Sequence, residues 1–226
     1  MVHTMTESDF TAMRRLMLVE IAATTIFATA HLGKAALDRK VLEVIGRVPR
    51  HEFVPVELQA HAYANTPLPI GFGKTISQPF IVAAMTDLLQ LAPTDKVLEI
   101  GTGVGYQAAI LAELVERVYS VEIIEELALG AKRRLTRMGY DNIEIKVGDG
   151  NRGWPEHAPF DKVIVTAAPD LIPPALLYQL KPGGKMMIPA GLADDQQLIL
   201  VDKNGDGRIS TRNIMGVRFS QLEESE

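Results

Sequence analysis

Between Ile81 and Pro189 the sequence alternates helical segments with short apolar segments, and this alternation constrains the fold more than any other feature. Each apolar segment has the length and residue content of a buried strand. We predict strands at Lys96–Ile100, Arg117–Ile123, Ile143–Val147, Asp161–Thr166 and Lys185–Pro189. The helices predicted around them are Ile81–Leu91, Tyr106–Leu114, Glu125–Met138 and Pro173–Leu180. Because helices between successive strands require parallel pairing, the sequence predicts an α/β fold with a doubly wound, mostly parallel sheet.

The regions on either side of this alternation have different patterns. From Thr6 to Leu58 the pattern is helical, whereas Ala64–Pro79 is dense in Pro, Gly, Thr and Asn and predicts an ordered loop. Near the C-terminus, Gln197–Asp202 and Ile209–Phe219 flank a turn-rich link and predict an antiparallel hairpin at the sheet edge. We therefore predict one domain over 1–226, with a helical N-terminal cover and loop (1–80), an α/β core (81–190) and a C-terminal hairpin (191–226).

The composition excludes several classes of protein. The 226 residues include no cysteine, which excludes a disulfide scaffold, a thiolate zinc site and a catalytic thiol. With 23 basic and 28 acidic residues the formal net charge is −5, whereas nucleic-acid binding requires a basic surface. We expect a monomer without nucleic-acid or membrane partners. No metal is expected either, because ligand spacing is absent among the histidines His3, His31, His51, His61 and His157.

The apolar run Leu16–Leu32 has two interpretations. Arg14–Arg15 precede it, as basic residues precede the apolar part of a secretory leader, but Glu7 and Glu20 contradict that pattern. The run is also shorter than the roughly 20 residues of a bilayer span. We therefore predict a helix packed on the domain, and a soluble protein of the cytoplasm.

The strongest local signal is the segment Val97–Tyr106, VLEIGTGVGY. A predicted strand that carries Glu99 runs into Gly101, Gly103 and Gly105 immediately before a helix. Glycines allow the sharp turn and let a ligand lie against the backbone, while the helix N-terminus favours a negative group. A dinucleotide site would need its third glycine three positions after the second, and that position holds Tyr106.

Two acidic residues follow later strands. Glu122 closes the second strand about 20 residues after the first glycine, where a carboxylate can accept both hydroxyls of a ribose. Asp149, between Gly148 and Gly150, can reach the amino group of an adenine. The alternatives are a solvated surface charge for Glu122 and a local turn for Asp149.

These motifs resemble those of known proteins. The tight glycine spacing with Glu99 upstream resembles motif I of the class I S-adenosylmethionine-dependent methyltransferases, whose fold is Rossmann-like. Leu180–Lys185 (LKPGGK), predicted as a loop that leads into the fifth strand, also looks like that fold. The segment Tyr63–Pro79, YANTPLPIGFGKTISQP, is similar to the substrate loop of the protein-L-isoaspartate (D-aspartate) O-methyltransferases. Val48–Pro55 and Val165–Pro169 match the same family pattern.

This resemblance, which runs from about Val41 to Leu222, implies an activity and its residues. It implies S-adenosyl-L-methionine as cofactor and methylation of the free carboxylate of L-isoaspartyl and D-aspartyl residues in damaged proteins and peptides, so that repair proceeds through a succinimide. Ser77 matches the catalytic serine, although the same serine could instead cap the helix that starts near Pro79. The matching cofactor-binding positions are Glu99, Gly101, Thr102, Gly103, Gly105, Tyr106, Glu122, Ile123, Asp149, Gly150, Thr166 and Ala167. Substrate contacts are implied at Thr75, Ile76, Gln78 and Val217.

Two segments depart from the family pattern. Ser220–Gln221 stand where the family often has Val-Pro, and Ala23–Ala36 looks longer than in short family members. A methyltransferase that acts on ordinary aspartates of one dedicated peptide therefore remains an alternative, as does a cofactor-binding protein without turnover. A nicotinamide-dependent oxidoreductase ranks last.

Asp202, Asn204 and Asp206 repeat the spacing that opens a calcium-binding loop. The last ligand position of such a loop requires a bidentate Glu, and here it holds Asn213. The flanking segments are strand-like where helices are required, so this pattern predicts a hairpin turn.

Overall fold

A computed structural model describes residues 5–224, in two compact units of which the first ends at Asp87 and the second begins at Leu88. Residues 1–4, with His3 among them, and residues 225–226 lie outside the described part of the chain. The expected single domain over 1–226 stays a prediction.

The first unit is mostly helical, as predicted. Its elements are α1 (Glu7–Phe27), α2 (Thr29–Leu32), α3 (Arg39–Arg47), 3-10 turns at Arg50–Phe53 and Val56–His61, β1 (Leu68–Gly71), β2 (Lys74–Ile76) and α4 (Pro79–Leu88). Thr6 begins α1 with a capping box, because its hydroxyl accepts from Asp9 N while the Asp9 carboxylate accepts from Thr6 N. Within residues 5–224, no helix combines the length and the apolar content that a bilayer crossing needs.

Helix α1 has apolar residues on more than one side. Its buried residues are Phe10, Met17, Ile21 and Thr25, and it passes close to α3 where Leu18 lies beside Gly46. Large exposed apolar side chains are also present on this helix, at Leu16, Val19, Ile26 and Phe27. The buried residues recur at helical spacing and fix which side of α1 faces the interior.

The prediction of a loop over Ala64–Pro79 is wrong in part, because β1 and β2 form an antiparallel pair there. Leu68 and Ile70 are buried on β1 while the residues between and after them are exposed, and Ile76 is buried on β2. The turn between the strands has positive φ throughout, from Gly71 to Gly73. Two strands of three and four residues are too short for their alternation to stand out from a Pro- and Gly-rich background.

The second unit contains a seven-stranded sheet. Its strands are β3 (Lys96–Ile100), β4 (Arg117–Glu122), β5 (Ile143–Val147), β6 (Phe160–Val165), β7 (Leu180–Ala190), β8 (Gln196–Lys203) and β9 (Ile209–Val217), and its helices are α5 (Tyr106–Ala112), α6 (Glu125–Arg137) and α7 (Pro174–Gln179). The strand order is β5-β4-β3-β6-β7-β8-β9, with the first five strands parallel and the last two pairings antiparallel. This order confirms the predicted doubly wound, mostly parallel sheet and its edge hairpin.

Leu180–Lys185 is part of β7, whereas the sequence predicted a loop that leads into the strand. Leu180 already pairs with Phe160, and the next pair joins Lys185 to Lys162, so an irregularity takes up the intervening residues. Gly184 lies in this irregularity, where a Cβ atom would come within 2.8 Å of the carbonyl oxygen of Asp161. Prolines and glycines predict a loop, but here they allow a bulge within a strand.

The calcium-like pattern forms the predicted hairpin turn between β8 and β9. Asn204 Oδ1 accepts from the N–H groups of Asp206 and Arg208, at 3.1 and 2.8 Å. Asp202 lies on β8 and forms an ion pair with Lys185. Its carboxylate is therefore directed at a lysine on the neighbouring strand.

Candidate active site

The carboxyl ends of the parallel strands meet along one edge of the sheet. Ile100, near the end of β3, is in register with Val121 on one side and with Val165 on the other. The chain passes from β3 to β4 on one side and later returns to β6 on the other, which makes this edge a topological switch point. In open α/β sheets, ligands bind in the crevice at such a point.

The glycine loop begins at this crevice and is held by Thr166. Gly101, Gly103 and Gly105 have φ values of 93°, 53° and 90°, a region that side chains other than glycine rarely adopt. The Thr166 hydroxyl donates to Gly101 O at 2.7 Å, and a Cβ atom on Gly101 would lie 2.5 Å from that hydroxyl. Thr166 therefore fixes the start of the loop and leaves no room for a side chain at Gly101.

Glu122 supports the middle of the same loop. Its Oε2 accepts from Gly103 N at 2.7 Å and its Oε1 accepts from Ile124 N at 3.0 Å. A carboxylate has about four acceptor positions, so each oxygen keeps one for a further donor. Glu122 can brace the loop and still accept the two hydroxyls of a ribose.

Glu99 is fully buried and faces hydroxyl groups. Ser120 donates to its Oε2, and Ser120 in turn lies 2.5 Å from the hydroxyl of Thr102 on the loop. Burial raises the pKa of Glu99 to about 8, with a smaller contribution from the charge of Glu122. The side chain of Glu99 therefore links β3, β4 and the glycine loop, and its predicted contact with a cofactor stays a prediction.

Gly105 and Tyr106 complete the motif and pack against the interior. The Tyr106 side chain, at the start of α5, is almost fully buried in the core. At Gly105 a Cβ atom would lie 3.0 Å from Leu135 and 3.3 Å from Ala131, so this glycine lets the loop approach α6 closely. Cofactor contacts at Tyr106 and Gly105 stay predictions, and their geometry favours main-chain groups.

Asp149 forms the local turn that was its alternative interpretation. Its Oδ1 accepts from Asn151 N at 2.9 Å, and its Oδ2 lies 3.6 Å from Arg152 Nε. The adjacent Gly150 is buried, and a Cβ atom there would lie 2.4 Å from Ile100. The turn fixes the orientation of the carboxylate, and the contact of Asp149 with the amino group of an adenine stays a prediction.

The chain returns to this edge after β9, which ends at Val217. Ala168, next to the predicted cofactor residue Ala167, donates its N–H to Ser220 O at 2.8 Å, and its carbonyl accepts from Leu222 N at 2.9 Å. These bonds fix the segment in which the sequence departs from the family pattern. Both involve main-chain atoms, and neither uses the N–H of Gln221.

In the first unit, Ser77 lies between β2 and α4 and is held by its backbone. The carbonyl of Ser77 accepts from Arg50 Nη2 at 2.8 Å. The first turn of α4 is satisfied by other groups, since Gln78 O accepts from Val82 N and Phe80 N donates to Asn65 Oδ1. The alternative role of Ser77 as a helix cap is therefore wrong, because Asn65 supplies the capping oxygen.

The other predicted substrate residues differ in exposure. Thr75 is exposed, Gln78 and Val217 are partly buried, and the side chain of Ile76 is buried. Ile76 pairs with Leu68 across the hairpin, so its side chain belongs to the interior. Substrate contacts at these four positions stay predictions.

Sequence reasoning missed the residues that hold the two loops. Arg50 and Asn65 hold the Ser77 segment, and Ser120 links Glu99 to the glycine loop. Arg50 lies between the apolar pairs Val48–Pro49 and Phe53–Val54, which was a usable signal, because a guanidinium buried among apolar residues needs fixed acceptors. Ser120 and Asn65 carry no such signal.

Comparison with known proteins is consistent with this geometry. The family described as Protein-L-isoaspartate(D-aspartate) O-methyltransferase (PCMT) matches residues 25–226. Protein-L-isoaspartate O-methyltransferase 1 of Polaromonas sp. (strain JS666 / ATCC BAA-500) is 67% identical over 223 residues, which are 99% of this chain and 94% of that protein. Protein-L-isoaspartate O-methyltransferase 2 of Syntrophobacter fumaroxidans (strain DSM 10017 / MPOB) is 56% identical over 217 residues, 96% of this chain and 88% of that protein.

Solved structures show the same fold. A protein-L-isoaspartate O-methyltransferase structure is 29% identical with a TM-score of 0.76, and the match covers 88% of this chain and 66% of that one. A beta-aspartate methyltransferase (PCMT) from Plasmodium falciparum, in complex with S-adenosyl-L-homocysteine, is 22% identical with a TM-score of 0.74 over 91% of this chain and 98% of that one. Because the family match covers most of this chain, residues 25–226, the chain belongs to the protein-L-isoaspartate (D-aspartate) O-methyltransferases.

Proposed function

We propose that this protein transfers the methyl group of S-adenosyl-L-methionine to the free carboxylate of L-isoaspartyl and D-aspartyl residues in damaged proteins and peptides. Methylation turns that carboxylate into a methyl ester, which the neighbouring backbone amide nitrogen attacks with loss of methanol to form a succinimide. Water then opens the succinimide, partly to normal aspartate. The observation that carries the proposal is the family match over residues 25–226, which includes the intact segment Gly71–Pro79.

The acceptors and donors at the sheet edge fit this cofactor. Glu122 keeps acceptor positions for ribose hydroxyls, and Asp149 Oδ2 is proposed to accept from the adenine amino group. The loop from Gly101 to Gly105 lets a ligand approach the main chain. When bound, the cofactor supplies a methyl group activated by a sulfonium.

The acceptor chemistry requires no general base. A carboxylate of the α type has a pKa of about 3.5 and is almost entirely ionised at neutral pH. The protein has to orient this anion and to replace the water that it loses, because an unpaired anion is costly to desolvate.

We propose that Ser77 is the orienting donor, with Thr75, Ile76, Gln78 and Val217 as peptide contacts. Because Asn65 caps α4, the Ser77 hydroxyl is not needed by that helix. A neutral hydroxyl suits the task, since a lysine would stabilise the substrate anion as an ion pair and lower its reactivity. Ser77 donates a hydrogen bond in this scheme and forms no covalent intermediate.

The test is methyl transfer from labelled cofactor to an isoaspartyl peptide and to its aspartyl twin. We expect label in the isoaspartyl peptide alone. The Ser77→Ala variant loses one charge-assisted hydrogen bond, worth about 1.5–3 kcal/mol, so its rate should fall by about 10- to 150-fold. Cofactor affinity should stay close to that of the wild type. Equal labelling of the two peptides, or full activity of the variant, would contradict the proposal.

The departure at Ser220–Gln221 gives little support to a methyltransferase for ordinary aspartates. The tail is held through Ser220 O and Leu222 N, so a proline at position 221 would leave the same two bonds in place. The aspartyl twin in the assay tests this alternative directly, because it predicts labelling of that peptide.

We also propose that the protein works as a monomer in the cytoplasm, without nucleic-acid or membrane partners. The absence of cysteine suits a reducing compartment, and the net charge of −5 disfavours phosphate backbones. Sedimentation at micromolar concentration tests the monomer.

A further inference from the structure

Arg50 is a fully buried cation that donates to two distant backbone carbonyls. Its Nε donates to Ala62 O at 2.8 Å, and its Nη2 donates to Ser77 O at 2.8 Å. Burying a guanidinium costs free energy unless hydrogen bonds replace the water around it. The two carbonyls therefore hold the side chain in place, and the rigid guanidinium in turn holds them.

Asn65 holds the residues that follow Ser77. Its backbone carbonyl accepts from Gln78 Nε2 at 2.9 Å, and its Oδ1 accepts from Phe80 N at 3.0 Å. We call Arg50 and Asn65 the Ser77 clamp. Fixing the carbonyl of Ser77 and the residues that follow fixes the peptide plane between Ser77 and Gln78, and hence the position of the Ser77 Cα atom that carries the hydroxyl-bearing side chain.

The clamp is anchored on a buried aromatic cluster. His51 follows Arg50 and stacks on Phe10, with 3.8 Å between the ring centroids. Its Nδ1 lies 2.7 Å from the hydroxyl of Tyr63, the residue after Ala62. Arg14 on α1 donates to the same hydroxyl at 3.0 Å. Both neighbours of the contact between Arg50 and Ala62 are thereby held, so the guanidinium has a rigid base.

We propose that the Ser77 clamp positions the catalytic hydroxyl, with Arg50 as its principal positioning residue. This inference rests on the proposed function, because it concerns the role given to Ser77. Arg50 contacts the backbone of Ser77 and acts through that residue. Its chemistry is not interchangeable with that of lysine, because a single ammonium cannot reproduce the two directed donors of the planar guanidinium.

The test is a double-mutant cycle of Arg50→Lys with Ser77→Ala, using the full chain and the isoaspartyl peptide. We expect Arg50→Lys to lower kcat by about 10-fold or more, because a small displacement of an orienting group is costly. The KM for S-adenosyl-L-methionine should change by less than about 2-fold. In the Ser77→Ala background, Arg50→Lys should change kcat by less than about 2-fold, because there is no hydroxyl left to orient.

The matched control is Arg39→Lys, on the exposed side of α3, which should leave kcat unchanged in both backgrounds. An equal loss from Arg50→Lys with and without the Ser77 hydroxyl would overturn the inference while leaving the proposed function intact. If Ser77→Ala alone keeps full activity, the role of Ser77 fails, and the clamp fails with it.

A second variant covers the case in which Arg50→Lys does not fold, which circular dichroism and thermal unfolding will show. Asn65→Ala removes the oxygen that caps α4, the second contact of the clamp, and lies at a partly exposed position. The clamp predicts the same dependence on Ser77 for this variant. A rate loss that adds to that of Ser77→Ala would count against the clamp.

Discussion

The two units hold their functional loops with buried polar networks of opposite character. In the first unit a permanent cation, Arg50, holds the Ser77 segment while the adjacent His51 contacts Tyr63. In the second unit a buried carboxyl, Glu99, and two hydroxyls support the glycine loop. Burial disfavours the charged form of each titratable group, which lowers the pKa of His51 and raises that of Glu99. A fall in pH should therefore weaken the network around His51, and a rise in pH the network around Glu99.

The surroundings of His51 favour its neutral form. Burial has the largest effect in lowering the pKa of His51, and the charge of Arg14 acts in the same direction. Glu52 and Glu7 favour the charged imidazole, but burial outweighs them. The hydroxyl of Tyr63, which accepts from Arg14, lies 2.7 Å from His51 Nδ1.

The largest effect is expected from Gly101→Ala, which breaks the glycine loop without altering any titratable group. The new Cβ atom would lie 2.5 Å from Thr166 Oγ1, and φ at this position is 93°. Strain and loss of the Thr166 contact should cost about 2–4 kcal/mol of unfolding free energy and weaken cofactor binding by about 100-fold. Calorimetry with S-adenosyl-L-homocysteine and urea unfolding measure the two effects.

The control for Gly101→Ala is Gly130→Ala in α6, where no atom lies within 4 Å of the added Cβ. That variant should be stabilised, by about 0.4–1 kcal/mol, because alanine restricts the unfolded chain. If both variants behave alike, the crowding at Thr166 has no consequence.

The next effect concerns the loss of stability through Glu99 as pH rises. Between pH 4.5 and about 8 the folded protein keeps a proton on Glu99 that the unfolded chain releases. This contribution to stability is fully present below pH 4.5 and is lost as pH rises through about 8. Because glutamine does not titrate, the free energy of unfolding of Glu99→Gln should rise relative to that of the wild type by about 1 kcal/mol for each unit that the pH rises across this window.

Urea unfolding of both proteins at about pH 5.5, 7 and 8.5 measures this difference in unfolding free energy. The three pH values lie below and above the pKa of Glu99 in the folded protein, which is about 8. The exposed Glu126→Gln on the same unit is the control and should show no such trend. A gap between Glu99→Gln and wild type that does not vary with pH would show that Glu99 is ionised in the folded protein.

The smallest effect concerns the loss of stability through His51 as pH falls. Since the pKa of His51 is lowered from 6.5, its contribution to stability is present above that pH and is lost as pH falls through the folded value. His51→Gln should therefore lose less stability than the wild type between pH 6.5 and 5, by at most about 1 kcal/mol per pH unit. Thermal unfolding at the two pH values tests this, with the exposed His61→Gln as control. Parallel losses in wild type and variant would place the acid sensitivity elsewhere.

The sequence predicted the second unit better than the first, for physical reasons. Strands β3 and β6 are buried along almost their whole length, so each is a short apolar run. The ends of β3, β4, β5 and β6 agree with the prediction to within a residue. The hairpin of β1 and β2 has only three buried positions, and its turn residues mask them. Segment Leu180–Lys185 also went wrong, since whether its glycines form a loop or a bulge depends on the partner strand.

The site divides in the same way. The glycine motif could be predicted because positive φ values and close approach restrict the residue type at each position. The Ser77 clamp could not, because Arg50 binds carbonyls 12 and 27 residues away, and a carbonyl belongs to every residue alike. A contact between a side chain and a distant main-chain carbonyl restricts the residue type of the donor only, so the sequence does not identify the acceptor.

The bridge between Ala168 and the tail has a consequence for how this enzyme family can diversify. That bridge joins carbonyl and amide groups on either side of position 221, so it does not depend on the side chain there. The side chain of Gln221 instead contacts Gln196 and Asp170. Natural variation or directed evolution can therefore exchange this residue to retune the neighbouring surface while the scaffold stays as it is.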